Sequence, residues 1–166
     1  IAREVLVEFP LVEALDLEIR KPQAPIGLPF ESVSVKIHRG WHKAYVAIGS
    51  NMGDKDKYLQ DAIQGLASHE QIVVTQTSTL INTEPYGGVE QDSFLNGMVE
   101  IMTLLTPHEL LDYLHELEQK AGRERIVRWG PRTLDLDIVF YDKMIFEDDV
   151  LIIPHVDMEN RDFVLK

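Results

Sequence analysis

Residues 133–141, TLDLDIVFY, alternate apolar and acidic side chains with a period of two before running apolar. A strand sends successive side chains to opposite faces. Leu134, Leu136 and Ile138 therefore share one face, and Asp135 and Asp137 the other. Such a strand belongs in a sheet with one face on the core and one face polar. Along it the two carboxylates lie roughly 6.6 Å apart. A bare D-x-D is most often the solvated face of an edge strand. Here, four of the chain's eight arginines (Arg123, Arg125, Arg128 and Arg132) lie within ten residues just before the pair. Arginine offers a planar, always-charged fork that matches phosphate oxygens. Mg²⁺ takes a few carboxylates plus substrate phosphates rather than a full protein cage. Paired ions about 3.5–4 Å apart can be held between such groups. Arginines beside carboxylates are what a metal–polyphosphate site requires.

The rest of the composition narrows the partner. The net charge is −12, from 16 Lys and Arg against 28 Asp and Glu. That argues against a nucleic-acid or anionic-membrane binder, which presents an excess of basic side chains. Around the arginines the balance reverses: residues 120–132 hold five basic side chains and one acid. An acidic protein with one dense basic segment suits a small polyanion met at one place. No apolar run approaches the roughly 18 residues of a membrane span. There is no cysteine, hence no disulfide or thiolate site, which suits a reducing cytoplasm, and no basic-then-apolar leader.

With 166 residues, the chain has room for one full domain and a little more. Residues 11–20 and 31–38 read as two strands around a loop with three prolines, KPQAPIGLPF, and Val33, Val35 and Ile37 share a face. This pair is too small to make a core alone. It reads as the tail of a first domain, residues 1–40, followed by a second at 41–166. The first residue is Ile, and the closing RDFVLK reads as a strand in progress, so the ends are expected to be cut.

In the second domain 44–48 reads as a strand, and 55–68 as a helix with Tyr58, Leu59, Ala62, Ile63 and Leu66 at helical spacing. Residues 71–80 read as a strand, NTEPYGGVEQD as a turn-rich stretch, and 94–104 as a strand. The next helix has the clearest ends: Thr106 as N-cap, Pro107 first, Glu109 closing a capping box, Leu110, Leu111, Leu114 and Leu117 as the buried stripe, and Gly122 as the stop. Strand, helix, strand, strand, helix, strand is the split βαβ order. The predicted class is α+β, a ferredoxin-like, mostly antiparallel sheet with helices packed on it.

Other motifs speak less clearly. GSNMGD, residues 49–54, sits between strand and helix but fits neither phosphate-loop pattern. A tight turn that caps the helix explains it as well as ligand contact does. His155 and Arg161 could clamp a polyphosphate, although a lone His is ordinarily a surface or packed residue. Glu118 stands at the edge of the helix's buried stripe.

Taken together, GSN, FLN at 94–96, GRER at 122–125, RWGPRTLDLDI at 128–138 and PHVDMENRDFVL at 154–165 resemble the 6-hydroxymethyl-7,8-dihydropterin pyrophosphokinases of folate biosynthesis. The resemblance runs from about Lys43 to the end, with the last few dozen residues of the family domain missing. RKPQAPI and the strand after it resemble, over a shorter stretch, the end of a dihydroneopterin aldolase. Fused versions of the two enzymes exist. The first 40 residues would then be a partial, T-fold-like strand pair, with Lys21 matching a catalytic lysine, homo-oligomerisation implied through the aldolase part, and no aldolase activity in this chain alone.

The resemblance implies transfer of pyrophosphate from ATP to the pterin's hydroxyl, with AMP leaving. Asp135 and Asp137 would hold two Mg²⁺, and Arg123 and Arg132 would neutralise the transferring group. Arg125, His155 and Arg161 would contact ATP, with His115, Glu118 and Trp129 nearby. Phe94 and Phe163 would stack on the pterin, Asn96 would read its polar edge, and Thr83, Pro85 and Tyr86 would complete the pocket. The partners implied are small molecules, with no nucleic acid and no membrane, in the cytoplasm. His115 and Val156 depart from common family residues and bear on the ATP contacts.

Two rivals are kept. A metal-dependent nucleotidyltransferase needs a GS turn roughly ten residues from its D-x-D; here Ser50 and Asp135 are 85 apart. A non-catalytic nucleotide-binding or assembly module would leave the Asp and Arg residues free to drift, yet all are present.

Overall fold

The computed structural model describes residues 1–22, 24–25, 27, 30–85, 91–122, 131–161 and 164. The chain divides into two compact units, Ile1–Trp41 and His42–Lys166.

The first unit is a short helix, α1 (Ala2–Glu8), then β1 (Ala14–Lys21) and β2 (Val33–Gly40), paired antiparallel from Ala14↔Gly40 to Lys21↔Val33. α1 packs on both strands. The apolar face expected at Val33 and Val35 forms, with Ile19 across from Val35, but all three are exposed. Ile37, on the same face, is half-buried, so a seven-residue helix and two strands cover this face only in part.

The second unit follows the predicted order and adds detail. It comprises β3 (His42–Ser50), α2 (Lys55–Ser68), β4 (Ile72–Thr77), β5 (Ile81–Thr83), β6 (Phe94–Thr103), α3 (Pro107–Lys120), β7 (Asp135–Tyr141), β8 (Phe146–Glu147), β9 (Ile152–Ile153) and a 3₁₀ turn at Met158–Asn160. The main sheet runs β4-β6-β3-β7 with every neighbouring pair antiparallel. β6 lies between β3 and β4, the two strands that α2 links, which is the split βαβ arrangement.

α3 is capped as its sequence dictates. Thr106 Oγ1 accepts from Glu109 N–H at 3.4 Å, Glu109 Oε2 accepts from Thr106 N–H at 2.8 Å, and Gly122 leaves the helix at φ +73°. Asp54 caps α2 by accepting from Lys57 N–H. One face of the sheet (Val46, Ile48, Val99, Ile101, Leu136, Ile138) closes on Leu59, Ala62 and Leu66 of α2 and Leu110, Leu114 and Leu117 of α3. Each large side chain so buried contributes roughly 1.5–3 kcal/mol. Leu111, read as part of the stripe, is half-buried.

Two local expectations change. The strand read at 71–80 ends sooner, since β4 pairs with β6 only from Ile72↔Thr103 to Thr77↔Val99, and a further strand, β5, which overlaps the start of the stretch read as turns, pairs farther along from Ile81↔Asn96 to Thr83↔Phe94. Between them Ser78 N–H still donates to Met98 C=O at 2.8 Å, while Met98 N–H donates to Ser78 Oγ at 2.9 Å, so a side chain supplies half of the pairing there. The β8–β9 hairpin is too short to carry a periodic signal. At the C-terminus, Val164 N–H donates to Arg161 C=O at 2.9 Å; the strand read in RDFVLK falls mostly on residues 162, 163, 165 and 166, which lie outside the described residues. Among the described residues no helix is long and apolar enough to cross a membrane.

Candidate active site

The helices cover one face of the sheet, and the alternation of β7 sends Asp135 and Asp137 to the other. Register sets their neighbours. Asp135 pairs with Gly49, which pairs with Asn96, which pairs with Ile81. One row along, Asp137 pairs with Ala47 and Ala47 with Met98. Directly opposed residues share a face, so Asp135, Asn96, Phe94 and Thr83 come together on one surface although they span 53 positions of the chain.

At the β7 end both carboxylates are held by cations. Arg132 Nη1 donates to Asp135 Oδ2 at 2.6 Å, and Arg161 Nη1 donates to Asp137 Oδ2 at 2.6 Å. His155 Nε2 lies 3.8 Å from Asp137 Oδ2. Two bonds orient His155: its N–H donates to Val139 C=O at 3.1 Å, and its Nδ1 accepts from Asp157 N–H at 3.1 Å. Burial pushes the Asp137 carboxyl up, but the charges of Arg161 and His155, the Arg161 hydrogen bond and Arg132 outweigh it and hold the group below its ordinary value. A quarter of the Asp137 side chain remains exposed (26%), so the pair can be reached from solvent.

At the other end Asn96, 7% exposed, donates from Nδ2 to Thr83 Oγ1 at 2.7 Å. Phe94, half-buried, lies with its ring centroid 6.0 Å from the Arg132 guanidinium carbon. Arg132 thus stands between the acidic end and the Asn96 end. Pro85 is half-buried just beyond β5.

Sequence reasoning missed the residue that ties these parts together. Asn51, 2% exposed, donates its N–H to Arg132 C=O (3.1 Å), and its Oδ1 accepts from Arg132 N–H (2.8 Å). Its Nδ2 donates to Gln91 Oε1 (3.0 Å) and to Asp92 C=O (3.2 Å). Lys55 Nζ adds a bond to Ser93 C=O at 2.9 Å. The GSNMGDK turn therefore moors the segments that lead into Phe94 and into β7. Its signal was a polar Ser-Asn pair directly after a buried strand. Ser50 Oγ is buried without a hydrogen-bond partner among the described residues.

Glu118 is 3% exposed and accepts from Leu136 N–H at 2.8 Å, between the two aspartates. His115 is half-buried three residues earlier on α3. Lys21 is exposed at the end of β1 in the first unit. Arg123, Arg125, Trp129, Tyr86 and Phe163 lie outside the described residues.

Among the described residues no three His, Asp or Glu side chains form a metal cage. The donor set is two half-buried carboxylates on one strand face, flanked by cations. That set fits Mg²⁺, which takes oxygen ligands and completes its shell with phosphate and water. Chemically, the face offers an acidic and cationic end for a metal–polyphosphate and, across the sheet, an amide, a hydroxyl and a ring for a flat polar heterocycle.

Comparison with known proteins points the same way. Residues 45–166 match the 7,8-dihydro-6-hydroxymethylpterin-pyrophosphokinase family. The 2-amino-4-hydroxy-6-hydroxymethyldihydropteridine pyrophosphokinase of Bacillus subtilis is 47% identical over 122 residues, which are 74% of this chain and 73% of that protein. The Bifunctional protein FolKE of Lactococcus lactis subsp. cremoris is 46% identical over 122 residues, but the match spans only 35% of its length. The Folic acid synthesis protein fol1 of Schizosaccharomyces pombe is 42% identical over 137 residues, 82% of this chain and 18% of that protein. The chain belongs to the 7,8-dihydro-6-hydroxymethylpterin-pyrophosphokinase family.

Proposed function

We propose that the protein transfers pyrophosphate from ATP to 6-hydroxymethyl-7,8-dihydropterin, giving AMP and the pterin pyrophosphate. One observation carries this reading: a single sheet face holds the two carboxylates with their cations at one end and the Asn96–Thr83–Phe94 group at the other, with Arg132 between. Asp135 and Asp137 would hold Mg²⁺, which when bound supplies charge neutralisation for the phosphates. Arg132 and Arg161 then exchange a carboxylate for phosphate oxygens, and His155 offers Nε2 to the same polyanion. Phe94 stacks on the pterin, and Asn96 and Thr83 hold its polar edge. The hydroxyl oxygen bonds to the β-phosphorus, the bond to the oxygen bridging the α-phosphate breaks, AMP leaves with that oxygen, and the hydroxyl proton passes to solvent. Positioning and charge stabilisation supply most of the catalysis in such transfers. Arg123, Arg125, Trp129, Tyr86 and Phe163 keep the roles that the family resemblance implies.

The first unit we read as the end of an aldolase domain, with Lys21 a remnant of that site and the oligomeric contacts made through that part. The RKPQAPI resemblance supports this reading. We place the reaction in the cytoplasm, which a chain without cysteine suits.

The test is ³¹P NMR of the full protein with Mg²⁺, ATP and 6-hydroxymethyl-7,8-dihydropterin. AMP appearing with a new pterin diphosphate signal is the expected outcome. ADP would mean transfer of a single phosphoryl group, and free pyrophosphate would mean nucleotidyl transfer; either overturns the reading.

A further inference from the structure

Gly49 lies midway between the two ends of the site, paired with Asp135 on one side and Asn96 on the other. Strands stand about 4.8 Å apart, so the two ends are about 10 Å apart with this residue in the middle. Its backbone does not require glycine: the glycines at positive φ among the described residues are Gly53 and Gly122. Space does. A Cβ built on Gly49 would come 2.4 Å from Asn96 Oδ1 and 4.0 Å from Asp135 Cβ, on the face that carries the site. The Asn96 amide lies across the strand in the room this glycine leaves. That posture lets Nδ2 reach Thr83 Oγ1 at 2.7 Å.

Resting on the pyrophosphokinase reading, we propose that Gly49 is a specificity-determining position. Its missing side chain leaves the room in which the Asn96 amide keeps its pterin-reading orientation. A methyl group here displaces the tip of a side chain and no backbone. The cost therefore falls on substrate recognition and little on folding. Gly97 supplies the contrast. It is next to Asn96 in the chain, but a Cβ there meets Leu80 Cδ2 at 2.7 Å and Ile48 Cγ1 at 3.7 Å, on the core side.

Steady-state AMP formation by the full protein tests this, with melting temperature measured alongside. For Gly49→Ala, kcat/KM for the pterin should fall about 10- to 100-fold, the range that a misplaced positioning group produces. The KM for ATP should stay within about twofold, the scatter of independent sites. Gly97→Ala should lower the melting temperature at least as much yet leave the pterin KM within about twofold. In an Asn96→Ala background, Gly49→Ala should add less than about twofold, because the group it displaces is gone. That double variant also relieves the clash, so it reports even if Gly49→Ala folds poorly. An unchanged pterin KM in Gly49→Ala overturns the proposal, as does a full additional loss in the Asn96→Ala background. A loss shared equally by Gly97→Ala and by the KM for ATP shows a merely structural role and overturns it too. A wild type that forms no AMP from the pterin overturns the reaction itself, and this assignment with it.

Discussion

The side chain of Asn51 engages both its carbonyl oxygen and its amide nitrogen, on two segments far apart in sequence. Oδ1 accepts from Arg132 N–H, and Nδ2 donates to Gln91 Oε1 and Asp92 C=O. No other side chain of this length offers both functions. An aspartate keeps the acceptor and sets an anion against two oxygens; a leucine loses everything. With leucine, Arg132 N–H, Gln91 Oε1 and Asp92 C=O lose the bonds that Asn51 makes to them, at about 1–3 kcal/mol. The larger consequence is for Arg132, whose guanidinium, in the proposed reaction, meets the phosphates from beside Phe94. Asn51→Leu should reduce kcat by about 10²-fold through a displacement on the order of 1 Å, with a smaller change in KM for ATP. Rapid-quench measurement of AMP formation checks the loss in kcat, and urea denaturation checks the loss in stability. An unchanged kcat in the folded variant would mean that Arg132 is held by other contacts.

β7 is the edge strand of the sheet, and an edge strand carries N–H groups with no ladder partner. α3 deals with one of them: Glu118 accepts from Leu136 N–H, between the two aspartates. Glu118→Ala should therefore destabilise the second unit by about 1–3 kcal/mol and speed exchange of the Leu136 amide, whereas Glu118→Gln retains an acceptor and most of the protection. Hydrogen exchange read by NMR decides it; equal protection in the alanine variant sinks the idea. This contact also marks where legibility ends. The caps of α3 and the two faces of β7 are readable because each depends on residues within a few positions of one another. The bond from Glu118 to Leu136 and that from Asn51 to Arg132 cross 18 and 81 positions. The packing of α3 on β7 creates the first and the register of β7 on β3 the second, and periodicity encodes neither. The same reason hid β5: only the pairing along β6 shows that the chain rejoins the sheet at 81–83, at the start of a stretch rich in turn residues. Asp135 and Asp137 were legible as a pair, but Gly49 read as a turn residue until the sheet put it under Asn96.

At the scale of the whole molecule the charge balance sets the response to acid. With a net charge of −12, protonation of exposed carboxylates first eases repulsion as pH falls. The paired carboxylates act in the opposite sense. Glu100, on the outer sheet face, accepts from Tyr45 OH at 2.6 Å, Thr75 Oγ1 at 2.7 Å and Lys43 Nζ at 3.1 Å. These bonds, Tyr45's first, hold its carboxyl at about 2, against an ordinary 4.5. Asp137 is displaced in the same direction. A carboxyl whose pKa is lower in the folded state binds its proton less readily there than in the unfolded chain. The stability it lends is therefore complete above about pH 4.5 and disappears as pH falls toward 2. Glu100→Gln keeps the shape and an acceptor but has no charge to lose. It should melt below the wild type at pH 7, and the gap should close as the two are titrated from pH 4.5 to 2, because only the wild type has a proton to gain. Circular dichroism melts across that range provide the measurement. A gap that stays constant with pH would mean that Glu100 acts as a neutral acceptor does, and that acid sensitivity resides in Asp137 and the site around it.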